Sequence, residues 1–557
     1  MTFFQNHLLS IILFTPLLGA LVLLLVNKHQ VNAIRWIANG FATAGFLVSL
    51  PLWFRYQPQG EQWQFVERAE WIPSIGAFYF LGVDGFSALL ILLATLMGSI
   101  AVLSSWTAIT ERVKEYYIFL LVLQTGMIGA FVSLDFLLFF FFWEVMLVPM
   151  YFLIGIWGGG RRLYSAIKFF LYTLVGSVVM LLGILALYFH YAAIPGHALS
   201  FDITAFQQMA IPFETQRWIF LALFLGFAVK VPMFPFHTWL PDAHTDAPTA
   251  GSVILAAVLL KMGTYGFIRF SLPILPEATR FFVPMMITLS IIGIIYGALV
   301  ALAQSDWKRL IAYSSVSHMG MIMLGMFALT PVGIMGSIVQ QINHGISTGA
   351  LFLIVGIVYE RRHTREISEY GGLSKVMPVF AAVFLIMTMS SIGLPTLNGF
   401  IGEILILQGV YVVSPWWAAA AASGIVLGAA YMLWLFQRTM FGKIENPANA
   451  GLKDLSPREM ATFAPLVALA IWIGLYPSPV LRRLEAPVNF VTARVNPDYG
   501  PALARTAADC VVDPAPTVVA LADGPPGIAM VAPCDTGEPL TAAARSGASA
   551  PRRGGEN

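Results

Sequence analysis

The chain has 557 residues, 58% of them hydrophobic and 11% charged, with a formal net charge of +2 and a mean hydropathy of +0.78. A soluble domain carries about 25% charged residues, so this composition predicts a polytopic membrane protein, and the charge balance excludes a nucleic-acid-binding role. Its two cysteines, Cys510 and Cys534, are too few for a thiolate iron–sulfur cage, which needs about four. With no glycine-rich dinucleotide fingerprint and no P-loop, no cofactor, metal or redox site is expected in this chain.

The first apolar run, Leu8–Val26, has no basic segment before it and no small-residue cleavage pattern after it, which predicts a membrane helix and not a signal peptide. Ala33–Phe54, Phe80–Ser105, Tyr116–Val132, Phe136–Trp157 and Tyr164–His190 follow. Trp218–Trp239 is interrupted by Pro232 and Pro235, which a helix interior does not accommodate. Then come Pro248–Phe270, Phe281–Ala303, Arg309–Leu329 and Gly333–Tyr359, followed by Val376–Val412, broken at Gly393-Leu394-Pro395, and by Trp416–Phe441 and Ala461–Tyr476. Each is near the ~20 apolar residues that a bilayer crossing needs, so the predicted fold is all-α with about fourteen spans.

Basic residues gather after odd-numbered spans, among them Lys28, Arg112, Arg161, Arg162, Lys308, Arg361, Arg365 and Lys443. The loops after even spans hold only Arg55, Arg68, Arg217, Arg269 and Arg280. The positive-inside rule therefore puts odd loops on the cytoplasmic (or matrix) side and both termini on the other. From about Asn496 the composition turns to Ala, Pro, Gly, Asp and Arg, which predicts a disordered tail over 496–557. Cys510 and Cys534 are free to pair there if the tail lies outside the cytoplasm.

A weak internal repeat is visible. Ser133-Leu134-Asp135 opens one span and Ser305-Asp306-Trp307 a later one. Each is followed by a span dotted with Gly, Ser and Thr, and then by a span broken near a proline, at Pro232 and Pro395. Two halves with discontinuous helices at matching places point to a transporter site.

Titratable residues inside the spans carry the functional signal. A lysine at the centre of a membrane helix costs roughly 2.5–3.5 kcal/mol on insertion scales, yet Lys230 ends one apolar run and Lys261 lies near the middle of the next. Glu144 stands in FFFFWEVMLVPM with nothing nearby in sequence to neutralise it. Its expected partner is Lys230, with Lys168 second, although Lys168 is near enough to a helix start to snorkel. Lysine can release a proton when a neighbouring cation opposes its charge, whereas arginine stays charged. At ~10 Å and an effective dielectric of ~20 such repulsion is about 1.7 kcal/mol, enough to gate a transfer.

His318 and His344 sit in spans flanked by Ser, Thr, Gln and Gly, where imidazoles relay protons or serve as interhelical glue. Glu403 follows the second break. His237, Asp242, His244 and Asp246 crowd what reads as a cytoplasmic loop, where capping and water binding are the expected roles, since no zinc-type spacing is present.

The run KVPMFPFHTWLPDAHTDAPTAGSVILAAVLLKMGTYG resembles the signature of the antiporter-like subunits of proton-pumping NADH–quinone oxidoreductase, respiratory complex I. The resemblance covers about residues 1–490. It is most similar to the subunit M branch, because Glu403 stands where sister subunits typically carry lysine. It implies fourteen helices with two inverted five-helix repeats, each holding a discontinuous helix. The implied division is 1–110, N-terminal helices; 111–270, first repeat; 271–441, second repeat; 442–495, last helix and flanks; and 496–557, the tail. It implies that Glu144 gates Lys230, that Lys230 is the primary proton carrier, and that Lys261 connects through His318 and His344 to Glu403. Lys168 is carried as a further site residue from the reading above. The implied partners are neighbouring membrane subunits in an energy-transducing membrane, with electron transfer elsewhere in the complex. The alternatives are a subunit of a multisubunit Na⁺/H⁺ antiporter, which shares these motifs, and a non-pumping scaffold, which has no need of costly buried charges.

Overall fold

The computed structural model describes residues 6–497, 499, 518–520 and 529–531. Among the described residues twelve helices are long and apolar enough to cross a membrane, from Leu8–Leu25 to Pro457–Leu475. Two further crossings are split. The seventh is Phe213–Lys230 followed by Trp239–Asp246, and the twelfth is Pro378–Ser391 followed by Asn398–Val413. Together these make fourteen spans, and the chain is an integral multi-pass membrane protein. Spans four to eight, and again nine to thirteen, form sets of five whose fourth member is broken. Five is odd, so the second set starts from the opposite side of the membrane and its topology is inverted.

The breaks follow from local chemistry. After Lys230 the chain meets Pro232, which has no N–H to continue the ladder, and Pro235. One freed carbonyl, that of Val229, accepts the indole N–H of Trp239 at 2.9 Å, so the restarted helix is tied back to the end of the first. At the second break Gly393 takes a left-handed conformation, φ +73°. Asn398, at the restart, accepts the Ser390 hydroxyl at 2.6 Å, and its carbonyl accepts the amide of Asn343 at 2.6 Å. The eighth span is a third irregularity. Two π-helical segments, Leu255–Leu259 and Phe267–Ser271, flank the α-helical Leu260–Gly266 that carries Lys261. Such segments widen the helix and recur at functional sites.

The structure corrects several expectations. Residues 80–84 do not begin the third span, which runs Gly85–Ala108. They belong to a β-hairpin, β1 Gln64–Ile72 against β2 Ala77–Val83, that pairs antiparallel and bonds to the start of the fifth span through Leu134 N–H to Phe80 O, 2.8 Å. A helix of 18 residues, Ser478–Val495, follows the last span where only flanking chain was expected. It has one buried side and is too polar to cross. Of His237, Asp242, His244 and Asp246, only His237 lies in a turn, the one that breaks the seventh span. The last three are on Trp239–Asp246 and His237 just precedes it, and all four are buried. The expected tail and the proposed Cys510–Cys534 pairing lie outside the described residues, except for two short strands, Val518–Ala520 and Ala529–Val531.

Arg269 is likewise not a loop residue. It is buried in the eighth span and pairs with Asp84 at 2.9 Å, while its other nitrogens reach Ser87 at 2.8 Å and Tyr265 at 3.1 Å. Asp84 also caps the third span by accepting from Ser87 N–H. Removing one partner of such a pair leaves a buried charge uncompensated. Asp84→Ala is expected to cost about 3–5 kcal/mol, measured by thermal unfolding of the assembled protein, and Asp84→Ala with Arg269→Leu is expected to cost less than Asp84→Ala alone.

Candidate proton-relay site

The candidate relay groups fall into three clusters. The first is at the end of the seventh span's first half. Lys230 is 2% exposed and its Nζ has no hydrogen-bond partner. As the last residue of that half-helix it lies where the helix dipole favours a cation. Its Nζ is 4.9 Å from the centroid of the Trp143 ring, and the indole of Trp143 donates to Ser177 at 2.9 Å. Glu144 interacts electrostatically with Lys230, but the contact ion pair expected between them is not formed among the described residues. Glu144 Oε1 is buried without a partner. Trp143 and Ser177 were not singled out from the sequence, since an aromatic beside a carboxylate in an aromatic run carries no signal of its own.

The second cluster is a connected series. Lys261 Nζ donates to the Ala256 carbonyl at 2.5 Å, within the first π segment, and lies 2.6 Å from His344 Nδ1. When Lys261 donates to that nitrogen, the neutral ring carries its hydrogen on Nε2, which has no protein partner. The His318 ring follows, 5.6 Å centroid to centroid from His344, and its Nδ1 is 3.8 Å from Glu403 Oε1. Ser391 stands 3.4 Å from His318 Nε2, and Gln340 donates to Glu403 at 3.4 Å. A cavity of about 20 Å³ touches Ser317, His318, Ser391, Glu403 and Tyr431, which is room for about one water. Beside this series Thr264 donates to Gln341 at 2.6 Å. The polar run Gln340-Gln341-Ile342-Asn343-His344 in an otherwise apolar span was the available signal for these amides.

The third cluster is on the seventh span's second half. Lys168 pairs with Asp242 at 2.7 Å, with Arg161 3.8 Å from the same carboxylate. This corrects the reading of Lys168 as a substitute partner for Glu144. Ser165 donates to Asp246 at 2.6 Å, Lys308 to the Ala247 carbonyl at 2.5 Å, and Arg365 to the Thr245 carbonyl. Cations thus gather at the C-terminal end of this half-helix. His244, fully buried, stacks on Phe352 at 4.5 Å, and neither of its ring nitrogens has a partner. No ligand set for a metal forms among the described residues. Among the described residues no hydrogen bond joins Lys230 to Lys261, and no hydrogen bond or ion pair joins Lys168 to Glu144.

Two interrupted helices with a lysine at one break and a glutamate reaching the other define an antiporter-like membrane subunit. The sequence comparisons agree. The model of the NADH:quinone oxidoreductase/Mrp antiporter transmembrane family matches residues 133–428. NADH-quinone oxidoreductase subunit M of Rhodobacter capsulatus is 46% identical over 516 residues, covering 90% of this chain and all of that one. A chain of the solved respiratory complex I from Thermus thermophilus with bound NADH superposes with a TM-score of 0.78 at 32% identity, covering 87% of this chain and 99% of the other. A chain of the Mrp complex from Dietzia shares the fold, TM-score 0.75, at 19% identity. This chain belongs to the subunit M family of NADH-quinone oxidoreductases.

Gly393 sets the position of Glu403. A Cβ there would come 2.3 Å from Glu403 Oε2. Gly393→Ala is expected to cost about 1–2 kcal/mol for its left-handed backbone, read by thermal unfolding. It is also expected to shift the infrared carboxyl band of Glu403, a change absent when Glu403→Gln is already in place.

Proposed function

We propose that this chain is a proton-translocating membrane-arm subunit of an NADH–quinone oxidoreductase, driven by electron transfer in other subunits. The observation that carries the proposal is the series Lys261–His344–His318–Glu403, buried between the two broken helices. Every member can gain and lose a proton, and one water at each of the two longer steps, 5.6 Å between the imidazole centroids and 3.8 Å from His318 to Glu403, would join them.

The residues divide the work by position. Glu144 acts through space as the charge that holds or releases Lys230. Lys230 is the primary carrier. It has no hydrogen bond to fix it, so its proton is controlled by field and hydration alone. Lys261 receives the proton, His344 and His318 relay it, and Glu403 is the terminal carrier. Lys168 with Asp242, and His244 beyond them, serve uptake on the basic side. Buried polar atoms without protein partners (Lys230 Nζ, His344 Nε2, Gln341 Nε2, Thr348 Oγ1) mark where water would complete the path.

Residues 111–270 and 271–441 are read as the two repeats. With only two cysteines, the chain contributes no iron–sulfur centre, and it is read as holding no redox cofactor. Other membrane subunits of the complex are its expected partners. Glu144 supports this, being only half-buried in the isolated chain although it lies mid-span, and an ionisable group at a lipid-facing flank needs protein cover.

The test is NADH-driven proton pumping in vesicles, with assembly monitored separately. Lys230→Ala and Glu144→Ala are each expected to lower pumping by about tenfold or more in an assembled complex, and unimpaired pumping removes their assigned roles. Glu403→Ala is expected to impair pumping, while Glu403→Lys, which keeps a titratable group at the second break, retains part of it.

A further inference from the structure

We propose that the outer ends of the second and fourteenth spans, with the helix Ser478–Val495, bind one anionic phospholipid, its acyl chain in an apolar cavity and its phosphate on Arg482 and Arg483. The cavity holds about 240 Å³ and is walled entirely by apolar side chains, including Phe46, Trp53, Leu92, Ile346, Trp472 and Val480. It is lined from both Val31–Arg55 and Pro457–Leu475, which share the lowest burial of the twelve spans in the chain alone, 28% each, a flank that the proposal gives to lipid. A second, polar cavity of about 610 Å³ is lined by Tyr56 and Gln57, which follow the second span, and by Arg482 and Glu485 of the helix Ser478–Val495, whose Val480 lines the first cavity.

The charge at this junction suits a phosphodiester. Arg483 lies 3.6 Å over the Trp53 ring and donates to the Trp53 and Pro479 carbonyls, yet its Nε is buried with no partner. Among the described residues none of Arg55, Arg482 and Arg483 forms an ion pair, and Glu485 is the one carboxylate lining the polar cavity. Trp53 and Trp472 pack edge to face at 5.6 Å, the kind of aromatic pair that marks a membrane–water boundary. A polypeptide segment would bring backbone N–H and C=O groups that these apolar walls cannot satisfy, whereas a hydrocarbon chain brings none. The chain would lie against Ile342 and Ile346, the turn of the eleventh span that carries His344.

The test uses the assembled complex, delipidated in mild detergent and given phosphatidylglycerol or phosphatidylcholine with identical chains. Retained lipid is counted by native mass spectrometry. One phosphatidylglycerol per copy of this chain is expected, displaced about fivefold more readily in Arg482→Gln and lost in Leu92→Trp, which fills the cavity and leaves the arginines in place. Equal retention of both lipids, or retention unchanged in both variants, overturns the proposal. So does a photocrosslinker at position 92 that captures a neighbouring subunit.

Discussion

A charge can be kept inside a bilayer only where something other than water answers it, and in this protein that is the end of an interrupted helix. Lys230 terminates Phe213–Lys230, where carbonyls without helical partners concentrate negative potential. Glu403 is on the first turns of Asn398–Val413, and its carboxylate reaches back to the break, against Gly393. There the N–H groups of a helix start favour an anion. The two breaks are therefore complementary in charge as well as in position, and each exists because prolines or a left-handed glycine stop the backbone there.

The irregular backbone does more than place charges. In the eighth span a π segment precedes Lys261, and the Ala256 carbonyl within it accepts the lysine ammonium. Trp239 answers the carbonyl of Val229 across the first break, and Asn343 answers that of Asn398 across the second. Departures from regular helix are thus matched by named donors, and the polar atoms left without a protein partner include Lys230 Nζ and His344 Nε2. This is the arrangement expected of a conduit. A scaffold would satisfy such groups or replace them with apolar ones.

The three clusters are not wired together by direct contact. Lys230 is held between the field of Glu144 and the face of Trp143, while the Lys261 series is continuous on its own. On the proposed path a proton crossing between them would use water or a change of conformation, and such a gap would allow control, which a fully bonded row would not. The Asp84–Arg269 pair lies on the same eighth span as Lys261, two turns further on, fully bonded and beneath the Trp63 ring. It fastens the span's end to the start of the third span while the middle of the span carries Lys261.

Much of this was determined by the sequence alone. The number of spans followed from apolar run length, the two breaks from Pro232, Pro235 and Gly393-Leu394-Pro395, and the titratable set from the cost of placing Lys, Glu and His in hydrocarbon. The β-hairpin at Gln64–Val83 was hidden because its second strand is as apolar as the span that follows it. Ser478–Val495 was hidden because its apolar face is spread over a polar helix and never forms a run. Only the tertiary structure decided which charge meets which. Lys168 goes to Asp242 and not to Glu144, Arg269 to Asp84, and Lys261 to His344, 83 residues away. Each of these pairings joins side chains on different spans, and the order of residues along one helix carries no record of the face that another helix presents to it.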